Sequence, residues 1–376
     1  MTTFFVSDGR VNALGADSSI RTLECAVAEK YRERARELRR KKEWKQTGAG
    51  ALFMYGRQEA EDADIRPMIA GCACVPSSEK LVYSLNFEQG GGVYFANEGE
   101  LDEHIHVNTT TRFYELDVNP AGIIAVSCAE GQTERHIMLI KPSENNLQTI
   151  TDGDCTDGNP MWSRRDCHVL FYDSSGIGYD SHERFMGYGP RSIYRLNTET
   201  GELDEVLFHE KYNYTNPFED ANGNLYFIRR PYETERKGMS LTDILLAPFR
   251  VLRAIGGWLD FFSRRYTGEA LNTAGANPAK ANQKSEKELF IDGNLLEAAK
   301  NEKLNAAAGE KSPGYAPRSW ELMVKSPDGS EKVLKKGVIS YLVTQNGVIY
   351  SNGKYIISEE KSVKAHLATR LCGVWK

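Results

Sequence analysis

The sequence lacks the short motifs that mark several common catalytic sites. It has no G-x-S-x-G, no H-E-x-x-H, no G-x-x-x-x-G-K-[ST], and no G-x-G-x-x-G after a predicted strand. An acyl-transfer or P-loop mechanism therefore has no support in the sequence. We predict no catalytic residue and no cofactor-binding residue.

Cysteine is scarce, with seven residues and no C-x-x-C pair. The nearest approach is Cys72-Ala-Cys74, in which the two cysteines of a strand would share one face. Such a pair can bind a soft metal, but buried, reduced thiols in a core strand are the favoured interpretation. The N-terminus also lacks the basic start and the long apolar stretch of a secretory signal, so we expect a cytoplasmic protein.

Histidine is equally scarce, and only two short stretches suggest metal ligands. His104 and His106 would share one face of a strand and could bind Zn²⁺ or Cu²⁺, although an exposed polar edge strand is the commoner case. The acidic stretch from Asp152 to Asp157 lacks the ligand spacing of an EF-hand and is interpreted as a loop between repeats. We predict no metal site.

What the sequence does contain is an internal repeat. Five apolar kernels each follow a polar, turn-forming stretch: Leu81-Val82-Tyr83, Ile124-Ala125-Val126, Leu170-Phe171-Tyr172, Tyr226-Phe227-Ile228 and Val348-Ile349-Tyr350. A sixth copy, Phe5–Val11, matches Ile349–Tyr355. The second kernel follows the first by 43 residues and the third follows the second by 46. A four-stranded propeller blade occupies roughly 40 to 50 residues, so these spacings indicate blades.

Five segments resemble the repeat of TolB-like, WD40-like (PD40-repeat) β-propellers: Leu147–Thr151, Gly158–Ser163, Val169–Tyr172, Ile193–Leu196 and Thr200–Glu202. The resemblance implies an all-β fold, a single β-propeller over residues 1–376 with six four-stranded blades and two helical insertions. It implies a fold and no particular activity. Within the repeat, Pro160 would fix a bend between blades, and Met161 and Trp162 are interpreted as packing residues.

The two ends of the chain are expected to meet in one blade. Phe4–Val11 resembles the kernel of a blade that has lost a neighbouring strand, and Ala365–Trp375 has strand character. Pairing between these segments would close the ring and remove exposed sheet edges.

The first predicted insertion is a basic helix over residues 26–46. It holds nine lysine and arginine residues against four glutamates, while Val27, Tyr31, Ala35 and Leu38 form a narrow stripe that can rest on the propeller. We slightly favour a helix whose basic face is exposed to solvent and binds no partner. The alternative is binding to an acidic protein, to nucleic acid or to anionic lipid, with three arginines as candidate contacts: Arg36, Arg39 and Arg40.

The second predicted insertion is a helical excursion over residues 234–317 with a flexible linker. Its segment Ser240–Arg265 carries large apolar residues at helical spacing, which we assign as candidate partner-binding residues: Leu241, Leu245, Phe249, Leu252, Ile255, Trp258, Leu259 and Phe262. Four charged residues make a membrane span unfavourable. This apolar face must still be covered, either by the propeller itself or by a partner protein or membrane surface.

From these features the sequence predicts a non-catalytic interaction scaffold. We expect a protein partner, with peripheral membrane contact as an alternative, and no nucleic-acid partner. The rival hypothesis is a metal-dependent hydrolase or lyase whose site lies in the central channel of the propeller.

Overall fold

The structure, a computed structural model, describes residues 1–46, 68–232 and 288–375, apart from 77, 79, 88–89, 98–100, 132, 145, 181, 183 and 292–293. These residues form six four-stranded antiparallel blades arranged as a propeller ring, together with two helices. The predicted six-bladed β-propeller is confirmed.

Blades 1 to 3 contain the first eleven strands and the last one. Blade 1 consists of β27 (Arg370–Trp375), β1 (Thr2–Ser7), β2 (Arg10–Leu14) and β3 (Ile20–Thr22). Blade 2 consists of β4 (Met68–Cys74), β5 (Leu81–Asn86), β6 (Gly91–Ala96) and β7 (Glu103–Asn108). Blade 3 consists of β8 (Arg112–Val118), β9 (Ile124–Ala129), β10 (His136–Lys141) and β11 (Asn146–Thr149).

Blades 4 to 6 complete the ring. Blade 4 consists of β12 (Cys155–Trp162), β13 (Val169–Tyr179), β15 (Ser192–Asn197) and β16 (Leu203–Leu207), with the extra strand β14 (Phe185–Tyr188) paired to β13. Blade 5 consists of β17 (Tyr212–Glu219), β18 (Leu225–Pro231), β21 (Glu321–Lys325) and β22 (Glu331–Lys336). Blade 6 consists of β23 (Ser340–Thr344), β24 (Gly347–Ser351), β25 (Gly353–Ile357) and β26 (Ser362–Ala368). A separate hairpin pairs β19 (Glu288–Ile291) with β20 (Asn294–Glu297).

The six apolar kernels found in the sequence are the second strands of the six blades, since they fall in β1, β5, β9, β13, β18 and β24. The strand before each kernel lines a central channel. In blade 1 that inner strand is β27, which pairs antiparallel with β1 and places Phe4 opposite Gly373. The predicted closure of the ring by the two ends of the chain is therefore confirmed.

Trp162 occupies the gap between blades 3 and 4. Its side chain is 1% exposed and packs among Ile137 and Leu139 of blade 3 and Leu170 and Tyr172 of its own blade. Large aromatic rings stabilise such inter-sheet contacts through buried area and shape. The packing role predicted for Trp162 is confirmed.

The first helix, α1 (Ala26–Gln46), follows the last strand of blade 1 and precedes blade 2. The backbone N–H of Val27 donates a 2.9 Å hydrogen bond to the buried carboxylate of Asp102, which fixes the start of the helix. One turn later, Tyr31 stacks on Phe87 at a centroid distance of 4.1 Å. The first two turns therefore pack on the ring, and Arg36 is exposed beyond them.

The second helix, α2 (Ala298–Ala307), docks beside blade 6. The buried amide of Asn305 donates 2.9 Å hydrogen bonds to the carbonyls of Gly314 and Ala316. In the part of the chain that the structure describes, no helix has the length and hydropathy needed to cross a bilayer.

Cys72 departs from the prediction of a reduced thiol, because it forms a disulfide with Cys372 across a sequence separation of 300 residues. The bond joins β4 to β27, the inner strands of blades 2 and 1. The sequence could not reveal this pair, since only ring closure brings the last strand beside β4. Cys74, by contrast, is a free and partly buried thiol, and burial raises its pKa to about 12.

Candidate functional site

The inner strands surround a cavity of about 880 Å³ along the central channel. Its wall includes apolar side chains, among them Leu116, Met161 and Leu342. Met161 thus lines the channel, although the sequence predicts that it packs between blades. The lining also includes Arg164 and Arg370, so the cavity is mixed in character.

Arg370 crosses the channel. It begins the inner strand of blade 1, yet its guanidinium donates a 2.7 Å hydrogen bond to the side-chain oxygen of Asn159, in blade 4 on the opposite side of the ring. The same guanidinium lies 3.8 Å from a carboxylate oxygen of Glu115 in blade 3. A polar plug formed by these three side chains therefore spans the channel.

A buried carboxylate, Asp173, supports this plug. It is fully buried and accepts hydrogen bonds from the Asn159 amide at 2.7 Å and the Asn216 backbone N–H at 2.9 Å. It also pairs with the Arg191 guanidinium. Since Asn216 belongs to blade 5, Asp173 joins blade 4 to its neighbour and orients Asn159 toward Arg370.

Asn159 and Asn216 occupy equivalent bulges in β12 and β17, with φ angles of 49° and 54°. Asn tolerates this left-handed backbone better than most residues with a Cβ, and each bulge leaves two residues unpaired opposite the second strand. In the sequence, Asn159-Pro160 and Asn216-Pro217 belong to the polar stretches before the third and fourth kernels, which are predicted to be turns. The structure instead places both steps inside inner strands, where Asn159 reaches Asp173 with its side-chain amide and Asn216 reaches it with its backbone N–H.

The histidines considered as metal ligands lie elsewhere, on β7, the outermost strand of blade 2. His104 contacts the Tyr94 ring at 5.0 Å and His106 contacts the Phe113 ring at 5.6 Å between centroids. Burial lowers the pKa of His106. Across the residues that the structure describes, neither histidine belongs to a group of three metal-ligating side chains.

An exposed apolar hairpin projects from blade 4. β13 continues past its partner in the blade and pairs with β14 from Ile177 onward. Four large side chains on this hairpin are 37% to 63% exposed: Tyr179, Phe185, Met186 and Tyr188. Clustered apolar residues of this kind mark interaction surfaces more often than scattered ones do.

Hydrogen bonds of tyrosine side chains hold the hairpin on two sides. Tyr179 donates a 3.2 Å hydrogen bond to Glu134 of blade 3, and Tyr188 donates one of 3.3 Å to the Thr133 carbonyl. On the other side, the Tyr232 hydroxyl donates a 2.7 Å bond to the Tyr188 carbonyl. Tyr232 is the last described residue before the long insertion in blade 5. The last described residue before the insertion therefore contacts the hairpin.

Acidic side chains flank the hairpin. Glu134 contacts Tyr179, the Asp154 carbonyl bonds to the backbone of Ile177, and Asp180 lies at the tip. Asp180 pairs with Arg184 at 3.6 Å. The carboxylates of Glu134 and Asp180 therefore lie beside the apolar cluster, and that of Asp180 is paired with Arg184.

The partner-binding residues predicted from the sequence fall into two groups. The apolar residues of the excursion lie outside the described residues: Leu241, Leu245, Phe249, Leu252, Ile255, Trp258, Leu259 and Phe262. Arg36 is exposed on α1, while the side chains of Arg39 and Arg40 are likewise outside the description. The hairpin was missed, because its apolar residues are interrupted by Gly187 and resemble an ordinary blade strand in sequence.

The chain shows limited similarity to known proteins. No family model matches the chain, and no curated protein matches it at a significant level. Similar solved structures include TolB from Acinetobacter baumannii, with a TM-score of 0.49 and 10% identity over 99% of this chain and 65% of that one. The chain thus spans slightly less than two thirds of that TolB.

Two further solved structures are less similar. A TolB from Agrobacterium tumefaciens has a TM-score of 0.27 and 14% identity over 46% of this chain and 73% of that one. An oligogalacturonate lyase in complex with manganese has a TM-score of 0.38 and 13% identity over 62% of this chain and 57% of that one. At these identities and TM-scores, the likeness gives no information about the activity of this chain.

Proposed function

We propose that this propeller is a non-catalytic protein-interaction scaffold, in which the β13–β14 hairpin and the neighbouring excursion of residues 234–317 bind a protein partner. The observation that carries the proposal is the exposed apolar cluster of the hairpin. Complete burial of a large apolar side chain is worth roughly 1.5 to 3 kcal/mol, and these side chains, 37% to 63% exposed, leave about half of that free energy unused. A partner that covers the four side chains would recover much of that free energy.

The place where the excursion leaves the ring supports a shared binding surface. Tyr232 hydrogen-bonds to Tyr188, so the chain contacts the hairpin just before the excursion starts. The apolar face predicted for Ser240–Arg265 and the apolar cluster of the hairpin would then contact the same partner.

A protein partner is better supported than a membrane at this surface. The carboxylate of Glu134 lies beside the hairpin and would repel anionic headgroups, whereas the charge of Asp180 is paired with Arg184. A partner with a basic group beside an apolar centre would complement the Glu134 carboxylate.

The rival hypothesis, a metal-dependent hydrolase or lyase in the channel, is less well supported. Glu115 and Asn159 do converge in the channel, but they converge on the guanidinium of Arg370. A fixed positive charge at that point opposes the binding of a cation.

The first prediction concerns the hairpin. The double variant Phe185→Ser/Met186→Ser should capture at least tenfold less partner from a lysate of the source cell than the unchanged protein does. A double variant Leu203→Ser/Phe208→Ser is the control, since it removes two side chains of similar exposure (53% and 54%) from the same blade. If all three proteins capture the same amount of partner, the hairpin is not part of the binding surface.

The second prediction concerns the excursion. A variant without residues 237–287 should retain the cooperative thermal unfolding of the ring and lose capture of the same partner. Flotation with anionic vesicles, carried out in parallel, should show no binding that depends on these residues. Vesicle binding lost on deletion would instead identify a membrane surface as the partner of the excursion.

A further inference from the structure

Three metal-ligating side chains converge between blades 3 and 4, away from the channel and the hairpin tip. The Nδ1 atom of His136 lies 4.0 Å from the Cys155 thiol and 3.9 Å from Oδ2 of Asp157. The three candidate ligand atoms all lie within 4.8 Å of one another. Asp157 and Cys155 share one face of β12, because they are two residues apart on a strand.

The backbone fixes this arrangement. The N–H of Arg135 donates to the Cys155 carbonyl at 3.2 Å, and the Asp157 N–H donates to the Arg135 carbonyl at 2.9 Å. These bonds form a parallel bridge between the start of β10 and β12. His136, the residue after Arg135, is thereby held beside the face of β12 that carries the other two ligands.

The buried carboxylate of Asp157 independently supports a metal site here. Its side chain is only 2% exposed, and its Oδ2 has no hydrogen-bond partner among the described residues. A buried carboxylate oxygen without a partner is costly, and native structures normally provide a hydrogen bond or a cation. Oδ2 faces the imidazole and the thiol, where a metal ion would satisfy it.

We propose that His136, Cys155 and Asp157 bind a zinc ion that joins blade 3 to blade 4. Thiolate, imidazole and carboxylate together suit Zn²⁺, whereas Mg²⁺ and Ca²⁺ prefer oxygen ligands alone. Tetrahedral zinc with bonds of about 2.0 to 2.3 Å needs ligand atoms about 3.3 to 3.8 Å apart. The two separations from His136, 4.0 Å and 3.9 Å, exceed this by a few tenths of an ångström, and the Cys155 and Asp157 ligand atoms lie within 4.8 Å of each other. Rotation of the three side chains would bring the ligand atoms to bonding distance.

The fourth position of the ion would face solvent, because the His136 side chain is 21% exposed. Zinc binds the thiolate form of cysteine, so its binding would displace the proton of the Cys155 thiol.

A second trio of similar composition provides a matched control. Asp166, Cys167 and His168 also lie within ligand distance of one another, but all three are exposed. The Asp166 carboxylate already accepts a 2.9 Å hydrogen bond from the backbone of His168. This exposed turn therefore gives no reason to propose a bound cation.

The test is a zinc titration of the full chain after chelator treatment, in competition with a chromophoric chelator. The unchanged protein and the control Cys167→Ser/His168→Ala should bind one equivalent. Cys155→Ser and His136→Ala should each bind at least tenfold more weakly, since even the loss of a group that only orients a ligand costs about 10- to 100-fold. Cobalt substitution should give a thiolate-to-metal charge-transfer band that Cys155→Ser lacks.

Thermal unfolding separates lost binding from lost folding. Zinc should raise the Tm of the unchanged protein and leave the Tm of a cooperatively unfolding Cys155→Ser variant unaltered. The proposal is overturned if no equivalent of zinc binds, or if Cys155→Ser binds as tightly as the unchanged protein. Binding that is lost only in Cys167→Ser/His168→Ala would overturn it equally.

Discussion

Asp173 shows how a single residue can stabilise two blades at once. Its carboxylate is fully buried and its three donors come from both sides of the boundary between blades 4 and 5. A buried charge of this kind is tolerated only because every partner is in place. Removing the carboxylate would take the acceptor away from the Asn159 amide and the Asn216 N–H, and it would remove one partner of the Arg191 guanidinium.

We therefore expect Asp173→Ala to lower the free energy of unfolding by about 3 to 5 kcal/mol, the usual cost of breaking a buried pair. Urea denaturation measures this change. Asp204→Ala is the control, because it breaks an exposed pair with Arg195 at 3.1 Å and should cost at most about 1 kcal/mol. Similar losses in both variants would show that Asp173 has no special structural role.

At the residue scale, the sequence predicts little of the polar architecture. The contacts of Asp173 and the convergence of His136 with Cys155 join residues that lie 14 to 43 positions apart. No short motif signals such pairs, since a parallel bridge and two bulges create them. Trp162 was predictable because its role depends on size and position in the repeat, which the sequence displays directly.

At the scale of elements, the second strand of each blade is the part that the sequence shows best. Apolar runs such as Leu81–Tyr83 and Ile124–Val126 are buried on both faces, so they appear as continuous kernels. The outer strands are less visible, because a strand such as β7 or β22 is largely polar. Inner strands β12 and β17 were misjudged at their Asn-Pro steps, where a bulge and a turn have the same composition.

The hairpin of β13 and β14 illustrates a different limit. Its strand character follows from its tyrosine and phenylalanine content. Its projection from the ring depends on β13 extending beyond its pairing with β15, the next strand of the blade. Sequence periodicity reports which residues are apolar and leaves open whether a neighbouring element covers them. For this reason the excursion and not the hairpin was the predicted contact surface.

At the scale of the whole molecule, the disulfide between Cys72 and Cys372 locks the closing strand to the second blade. Its closed loop of 300 residues corresponds to roughly 5 to 6 kcal/mol in the chain-entropy treatment of disulfides. Disulfides persist mainly in oxidising compartments. The disulfide is therefore an argument against the cytoplasmic location expected from the sequence. That location remains a prediction.

We expect Cys372→Ser to lower the free energy of unfolding under oxidising conditions by up to about 5 kcal/mol. A reducing agent should remove the difference between the variant and the unchanged protein, which urea titration in both buffers will show. Cys167→Ser is the control, because this thiol is free and exposed. A difference that persists after complete reduction would mean that Cys372 acts through packing alone.

The pairing of β1 with β27 also has a consequence for synthesis on the ribosome. β1 is complete after residue 7, whereas its inner neighbour starts at residue 370. At about 5 to 20 residues per second, the nascent chain waits roughly 20 to 70 seconds between these two points. During that interval the Phe4-Phe5-Val6 edge has no inner partner, which makes it a natural target for chaperones that bind extended apolar segments.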